Sequence, residues 1–223
     1  MRNSKAPSKL SSFAALVAIS VVWMSHARAE PVTPPSVPAN IRIPAGNSAF
    51  LVGHALGTQN YSCLPAGVDA AGNARFAWTL FTPQATLFAQ NLRGITTHYF
   101  SPNPYEPSPT PFTDGPIRAT WQHSKDASTV WGKVVPGDSS SDAAYVAAGA
   151  IPWLRVTVVG AEAGPTGGDA LGSTTYVHRV NTTGGIAPAT GCASAADVGK
   201  QAFVPYTADY YFYEKAAGGS RDD

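Results

Sequence analysis

Short β-prone runs, each closed off by Gly, Pro, Asn or Asp, recur along most of this chain and constrain its fold more than any other feature. They fall at 49–52, 58–64, 76–81, 96–100, 117–121, 129–135, 153–159, 174–181 and 203–213. About nine strands at this spacing predict an all-β domain, a single β-sandwich or barrel-like unit with long Pro/Gly-rich loops. The last run is the clearest. Val204, Tyr206, Ala208, Tyr210 and Phe212 occupy one face of an extended chain, and Thr207, Asp209, Tyr211 and Tyr213 the other. Aromatic residues on both faces predict a strand covered on both sides. Residues 102–116 carry six prolines and predict a surface excursion between strands. Residues 141–150 and 193–199 have weak helical character and serve equally as loops.

The chain opens with a different kind of segment. Arg2, Lys5 and Lys9 precede an apolar run from Phe13 to Met24, followed by the small-x-small site Ala27-Arg28-Ala29. This three-part pattern predicts a secretory signal peptide over 1–29, cleaved after Ala29. A Pro-rich extended arm over 30–48 follows, with Pro31, Pro34, Pro35, Pro38 and Pro44. The β-rich domain is expected over 49–215 and a disordered tail over 216–223. No apolar run is long enough for a membrane span. The expected location is therefore secreted or periplasmic.

Removal of the leader changes the charge balance. The full chain is formally +1, whereas residues 30–223 hold 11 Lys and Arg against 14 Asp and Glu, a net of −3. No basic surplus remains to attract nucleic acid. The two cysteines, Cys63 and Cys192, would meet in an oxidising compartment, where an even number pairs. Without CxxC spacing or a neighbouring His, they read as a structural disulfide rather than a redox or metal site.

Signatures of the common enzyme classes are missing: there is no GxSxG, Walker-type loop, HExxH, GxGxxG after a strand, or EF-hand spacing. No cofactor and no metal is expected. The glycines of 164–172 and 184–185 read as turns. Among the histidines, His98 stands in the β-prone, aromatic stretch Thr96-Thr97-His98-Tyr99-Phe100, where a buried imidazole needs a partner. Asp209, enclosed by aromatic residues, would be costly to bury unpaired, and Arg179 is a candidate to neutralise it. Asp126 and Ser128 read as turn residues, and Trp78 and Trp153 as core. Trp121, next to Gln122 and His123, serves equally as core or as a ligand wall.

An ordered set of motifs carries a family resemblance. It comprises Gly57-Thr58-Gln59-Asn60-Tyr61-Ser62-Cys63, Trp78, 83–87, Thr97-His98-Tyr99, Trp121 with Asp126-Ala127-Ser128, and Ile151-Pro152-Trp153-Leu154. It continues through the run Arg179 to Pro188, Gly191-Cys192 and Tyr206-Thr207-Ala208-Asp209-Tyr210. The chain resembles, over roughly 37–213, the secreted bacterial and fungal family called domain of unknown function 3455. The resemblance implies a single domain and a Cys63–Cys192 bridge and supplies no established function. Some fungal members carry a malate dehydrogenase label, but the dinucleotide fingerprint that activity needs is missing here. Two departures stand out: the family's Asp-Gly-Ser turn is Asp126-Ala127-Ser128, and its Gly-Pro after His-Tyr is Ser101-Pro102.

The expected function is binding of a small molecule, glycan or cell-envelope component, at a site gathering His98, Tyr99, Trp121, Asp126 and Arg179. One alternative is a hydrolase or lyase with His98 as general base and Asp209 or Asp126 as orienting carboxylate. The other is a structural envelope or matrix protein. Convergence of His98, Trp121 and Arg179 on one cavity is the observation that separates a binding site from a packed core.

Overall fold

The computed structural model describes residues 32–216, so the leader expected over 1–29 and residues 217–223 of the expected tail lie outside the described residues. Nine strands follow one another: β1 (Asn47–Val68), β2 (Ala74–Phe88), β3 (Gly94–Pro102), β4 (Ile117–His123), β5 (Thr129–Lys133), β6 (Ser139–Ser140), β7 (Trp153–Glu162), β8 (Tyr176–Gly184) and β9 (Gln201–Lys215). Each of eight strands pairs antiparallel with its sequence neighbour, β5 pairs with β7, and β9 returns to β1. The result is a closed eight-stranded up-and-down barrel, with the two-residue β6 added beside β7. Closure removes the exposed edges that a sandwich would leave.

The expected strands at 49–52 and 58–64 are one 22-residue strand. Gly53 and Gly57 lower local β-propensity, but both are required by packing. A Cβ on Gly53 would lie 2.8 Å from Leu87, and one on Gly57 would lie 2.1 Å from the Gln84 carbonyl. The stretch 141–150 forms turns, and a single 3-10 turn, Ala195–Asp197, sits within 193–199. The excursion after β3 has no regular structure.

Period-two alternation sorts the side chains into two layers. Inside, Leu87, Ile95, Trp121, Val130, Val156, Val177, Tyr210 and Phe212 form the main core. Outside, Tyr211 and Tyr213 of β9 and Val180 of β8 are covered by the N-terminal arm through Val32, Val37 and the fully buried Ile41. His178 fastens that cover: its Nε2–H donates to the Ile41 carbonyl at 2.6 Å, and its Nδ1 accepts from the Tyr213 hydroxyl at 3.0 Å. Both faces of β9 are thereby covered.

The ends of the barrel differ. At one end Leu171, wholly buried, seals the interior beneath the connection between β7 and β8. The opposite end carries the far part of the β1–β2 hairpin and the connections over 103–116, 134–152 and 185–200. The Cys63–Cys192 disulfide, with a Cα–Cα distance of 5.4 Å, ties the last of these to β1. Trp78 Nε1 adds a hydrogen bond to the Thr190 carbonyl at 2.9 Å. Among the described residues, no helix is long and apolar enough to cross a membrane.

Candidate functional site: a cavity in the barrel lumen

A cavity of about 460 Å³ occupies the loop-bearing end of the lumen, and every one of the eight barrel strands contributes to its wall. Local sequence explains the space. Ala119 and Gly132 are register partners across β4 and β5, and both line the cavity. A Cβ on Gly132 would lie 2.5 Å from Val156 and 3.3 Å from the Trp121 ring, so this position must remain bare. On the adjoining wall the β2–β3 ladder runs only from Ala85 to Phe88. Beyond it Pro83 has no N–H to donate, and the Phe100 N–H is instead satisfied by the Thr82 hydroxyl at 3.0 Å. The strands separate there, with Leu80, Pro83 and Phe100 lining the gap. Ile117 and Val134, both exposed apolar residues, also line the cavity.

His98, Trp121 and Arg179 all reach this cavity. His98 and Trp121 are register partners on β3 and β4 and stack with ring centroids 4.4 Å apart and planes 5° from parallel. His98 Nδ1 lies 2.9 Å from the Thr120 carbonyl, which can only accept, so Nδ1 carries the proton and Nε2 the lone pair. Burial lowers the imidazole's pKa to about 3, against a smaller upward pull from that carbonyl; the Arg179 charge lowers it further. Arg179 projects inward from β8 and donates through Nε and Nη2 to the Pro152 carbonyl, at 3.3 and 2.9 Å.

Gln59, Tyr61 and Tyr210 complete the polar wall. Tyr61 donates to the Gly185 carbonyl at 2.7 Å, and the Tyr210 hydroxyl lies 3.2 Å from that of Tyr206. Burial raises the pKa of all three phenols, so they remain protonated. Sequence reasoning missed Gln59, Tyr61 and Tyr210, although strand alternation carries the signal. Gln59 and Tyr61 share the phase of inward Ala55, and Tyr210 that of Phe212. The run from Arg179 to Gly185 shapes the rim. A bulge follows Val180, Asn181 adopts φ 51°, and Thr182 donates to the Ile151 carbonyl at 2.6 Å.

The remaining candidates lie elsewhere. Tyr99 alternates with His98 and faces outward, beside Thr58, Gln84 and Thr97. Asp126 is at the sealed end. Burial would push its pKa up, but this is outweighed by the Ala170 and Ser128 N–H groups, the Ser128 hydroxyl and His123, so the carboxyl stays well below its usual range. It anchors the glycine-rich connection, where a Cβ on Gly164 would fall 1.6 Å from the Asp126 carbonyl. Asp209 pairs with neither Arg179 nor His98. Alternation turns it to the outer wall, where its oxygens meet His54 Nδ1 at 2.6 Å and Asn181 Nδ2 at 2.8 Å. Among the described residues, no group of three or more His, Cys, Asp or Glu is placed to hold a metal ion.

Fold and site together define an eight-stranded up-and-down barrel with a cavity in one end of its lumen. The chain belongs to the family described as Protein of unknown function (DUF3455), which matches residues 44–214. No curated protein and no solved structure matches it.

Proposed function

We propose that this is an extracytoplasmic binding protein that holds an amphipathic small molecule in the barrel lumen. The observation that carries the reading is the convergence of His98, Trp121 and Arg179, from three strands, on one cavity of about 460 Å³. That volume lies in the range of small-molecule sites, and an apolar wall with a few placed polar groups is their usual construction. Leu80, Phe100, Ile117, Val134, Leu154 and Val156 give the wall a continuous apolar part that suits a hydrocarbon or aromatic body better than a glycan, whose hydroxyl groups each need a partner. His98 fits a wall residue better than a general base, because it is buried, neutral and bound to a carbonyl rather than a carboxylate. The leader-like N-terminus and the disulfide support an extracytoplasmic setting.

Titration with N-phenyl-1-naphthylamine, a neutral probe that fluoresces when shielded from water, tests this reading. The expected result is saturable binding at one site per chain, weakened at least about tenfold by Ala119→Phe, which fills the lumen. An absence of saturable binding, or binding indifferent to Ala119→Phe in a folded variant, overturns it.

A further inference from the structure

Resting on the lumenal-binding reading, we infer that Arg179 receives the anionic group of the ligand, which is an apolar acid: a hydrophobic or aromatic body carrying a carboxylate, sulfonate or phosphate.

Charge in the wall carries the first part of the argument. Arg118, Lys133 and Arg179 line the cavity, and no Asp or Glu does. Residues 30–223 as a whole have more acidic than basic side chains, so the cationic lumen runs against the composition of the chain. Arg118 is already engaged by Glu106, through Nε at 2.6 Å and Nη2 at 2.9 Å. Arg179 belongs to none of the five ion pairs among the described residues; its Nε and Nη2 donate to the neutral Pro152 carbonyl, and its other polar neighbour is the Tyr210 hydroxyl, which burial keeps protonated and neutral. A guanidinium in a partly desolvated site without a carboxylate favours an incoming anion, which it binds through charge-assisted hydrogen bonds.

Two further polar atoms point the same way. Trp121 Nε1 is buried and has no hydrogen-bond partner within the protein, Gln59 Nε2 is buried with the Tyr206 hydroxyl near it but no bond of full hydrogen-bond geometry, and both residues line the cavity. Trp121 is 1% exposed and Gln59 2%. Both atoms are donors, and buried donors are ordinarily satisfied. An anionic group supplies several acceptors at once, whereas a hydrocarbon supplies none. Trp121 and Phe100 offer ring surface to the apolar body.

The test compares N-phenyl-1-naphthylamine with 1-anilinonaphthalene-8-sulfonate, the same ring system bearing a sulfonate. At physiological ionic strength, the sulfonate is expected to bind the wild-type protein at least about tenfold more tightly. Arg179→Gln is expected to bring the ratio close to one while binding of the neutral probe persists. Arg93→Gln, which removes an exposed cation outside the lumen, should leave the ratio unchanged. Equal affinities in the wild type, which require no variant to fold, overturn this inference and leave the lumenal reading standing. A ratio unchanged by Arg179→Gln, or lowered equally by Arg93→Gln, also overturns it. Failure of both probes to bind removes the lumenal reading itself.

Discussion

His98 lies face to face with Trp121 in the barrel lumen, and burial in that stack keeps the imidazole neutral. A cation there would lose its hydration and also feel Arg179, so burial drives the pKa down to about 3. The unfolded chain, with an ordinary His pKa near 6.5, takes up the proton first on acidification. His98 therefore lends stability that is fully present above about pH 6.5 and lost as the pH falls toward 3. Where His98 alone titrates, the slope is about 1.4 kcal/mol per pH unit. Urea unfolding across that range should show His98→Phe, which keeps a ring in the stack, losing less stability on acidification than wild type. His178, whose pKa is also lowered by burial, contributes in the same direction to both proteins.

Ala127 sits in the left-handed region at φ 60°, between Asp126 and Ser128. A residue with a Cβ pays roughly 1–2 kcal/mol there, and glycine gives back about 0.5–1 kcal/mol through the entropy it loses on folding. Ala127→Gly is therefore expected to stabilise the protein by about 0.5–1 kcal/mol, read as a higher denaturation midpoint with an unchanged m-value.

Asp126 holds the seal. It binds the Ala170 and Ser128 N–H groups and the Ser128 hydroxyl, and that hydroxyl in turn receives the Leu171 N–H at 3.1 Å. Asp126→Ala removes charge-assisted hydrogen bonds from a partly buried turn and is expected to cost about 1.5–3 kcal/mol. Faster hydrogen exchange at Ala170 and Leu171, exceeding that at lumenal strand amides, would locate the loss in the seal. The depressed carboxyl pKa gives stability present above about pH 4 and lost below it, and the variant should lack that acid limb.

The disulfide closes a loop with a sequence separation of 129 and fastens the connection before β9 to the end of β1. The chain-entropy account gives about 4–5 kcal/mol as an upper figure, and removal of native disulfides from secreted domains costs about 2–5 kcal/mol. The Cys63→Ala, Cys192→Ala double variant is expected to lose stability within that range. Reductant should lower the wild-type melting temperature and leave that of the variant unchanged.

Legibility in the sequence followed the range of the interactions. The β9 faces could be read locally because Tyr206, Tyr210 and Phe212 alternate with Tyr211 and Tyr213. The single long β1 could not, since its glycines answer to Leu87 and Gln84 on another strand. His98, Trp121 and Arg179 stood out by type, and barrel closure brought them together. For Asp209 the sequence offers Arg179 as a candidate partner, whereas the partner it takes depends on the β1–β9 register, which aligns it with His54 across 155 residues. Gln59 and Tyr61 lay on the inward phase of β1, but that phase has meaning only once the barrel has closed.

The N-terminal arm gives the last test, because its contribution separates a cover from a tether. Ile41 is wholly buried against the outer wall, and Asn40 Nδ2 donates to the Gly137 and Ser139 carbonyls at 2.8 and 2.9 Å. Arg155 donates to the Arg42 carbonyl and pairs with Asp138. An arm held at this many points packs as part of the outer core, so Ile41→Ala is expected to cost about 2–4 kcal/mol, the range for truncating a buried aliphatic residue. Tyr211 and Tyr213 lie beneath the arm, and their fluorescence and accessibility should change with it. Limited proteolysis should cut the variant first within residues 32–46 while the barrel stays intact. A tether without packing would give a loss below about 0.5 kcal/mol and equal cleavage in both proteins.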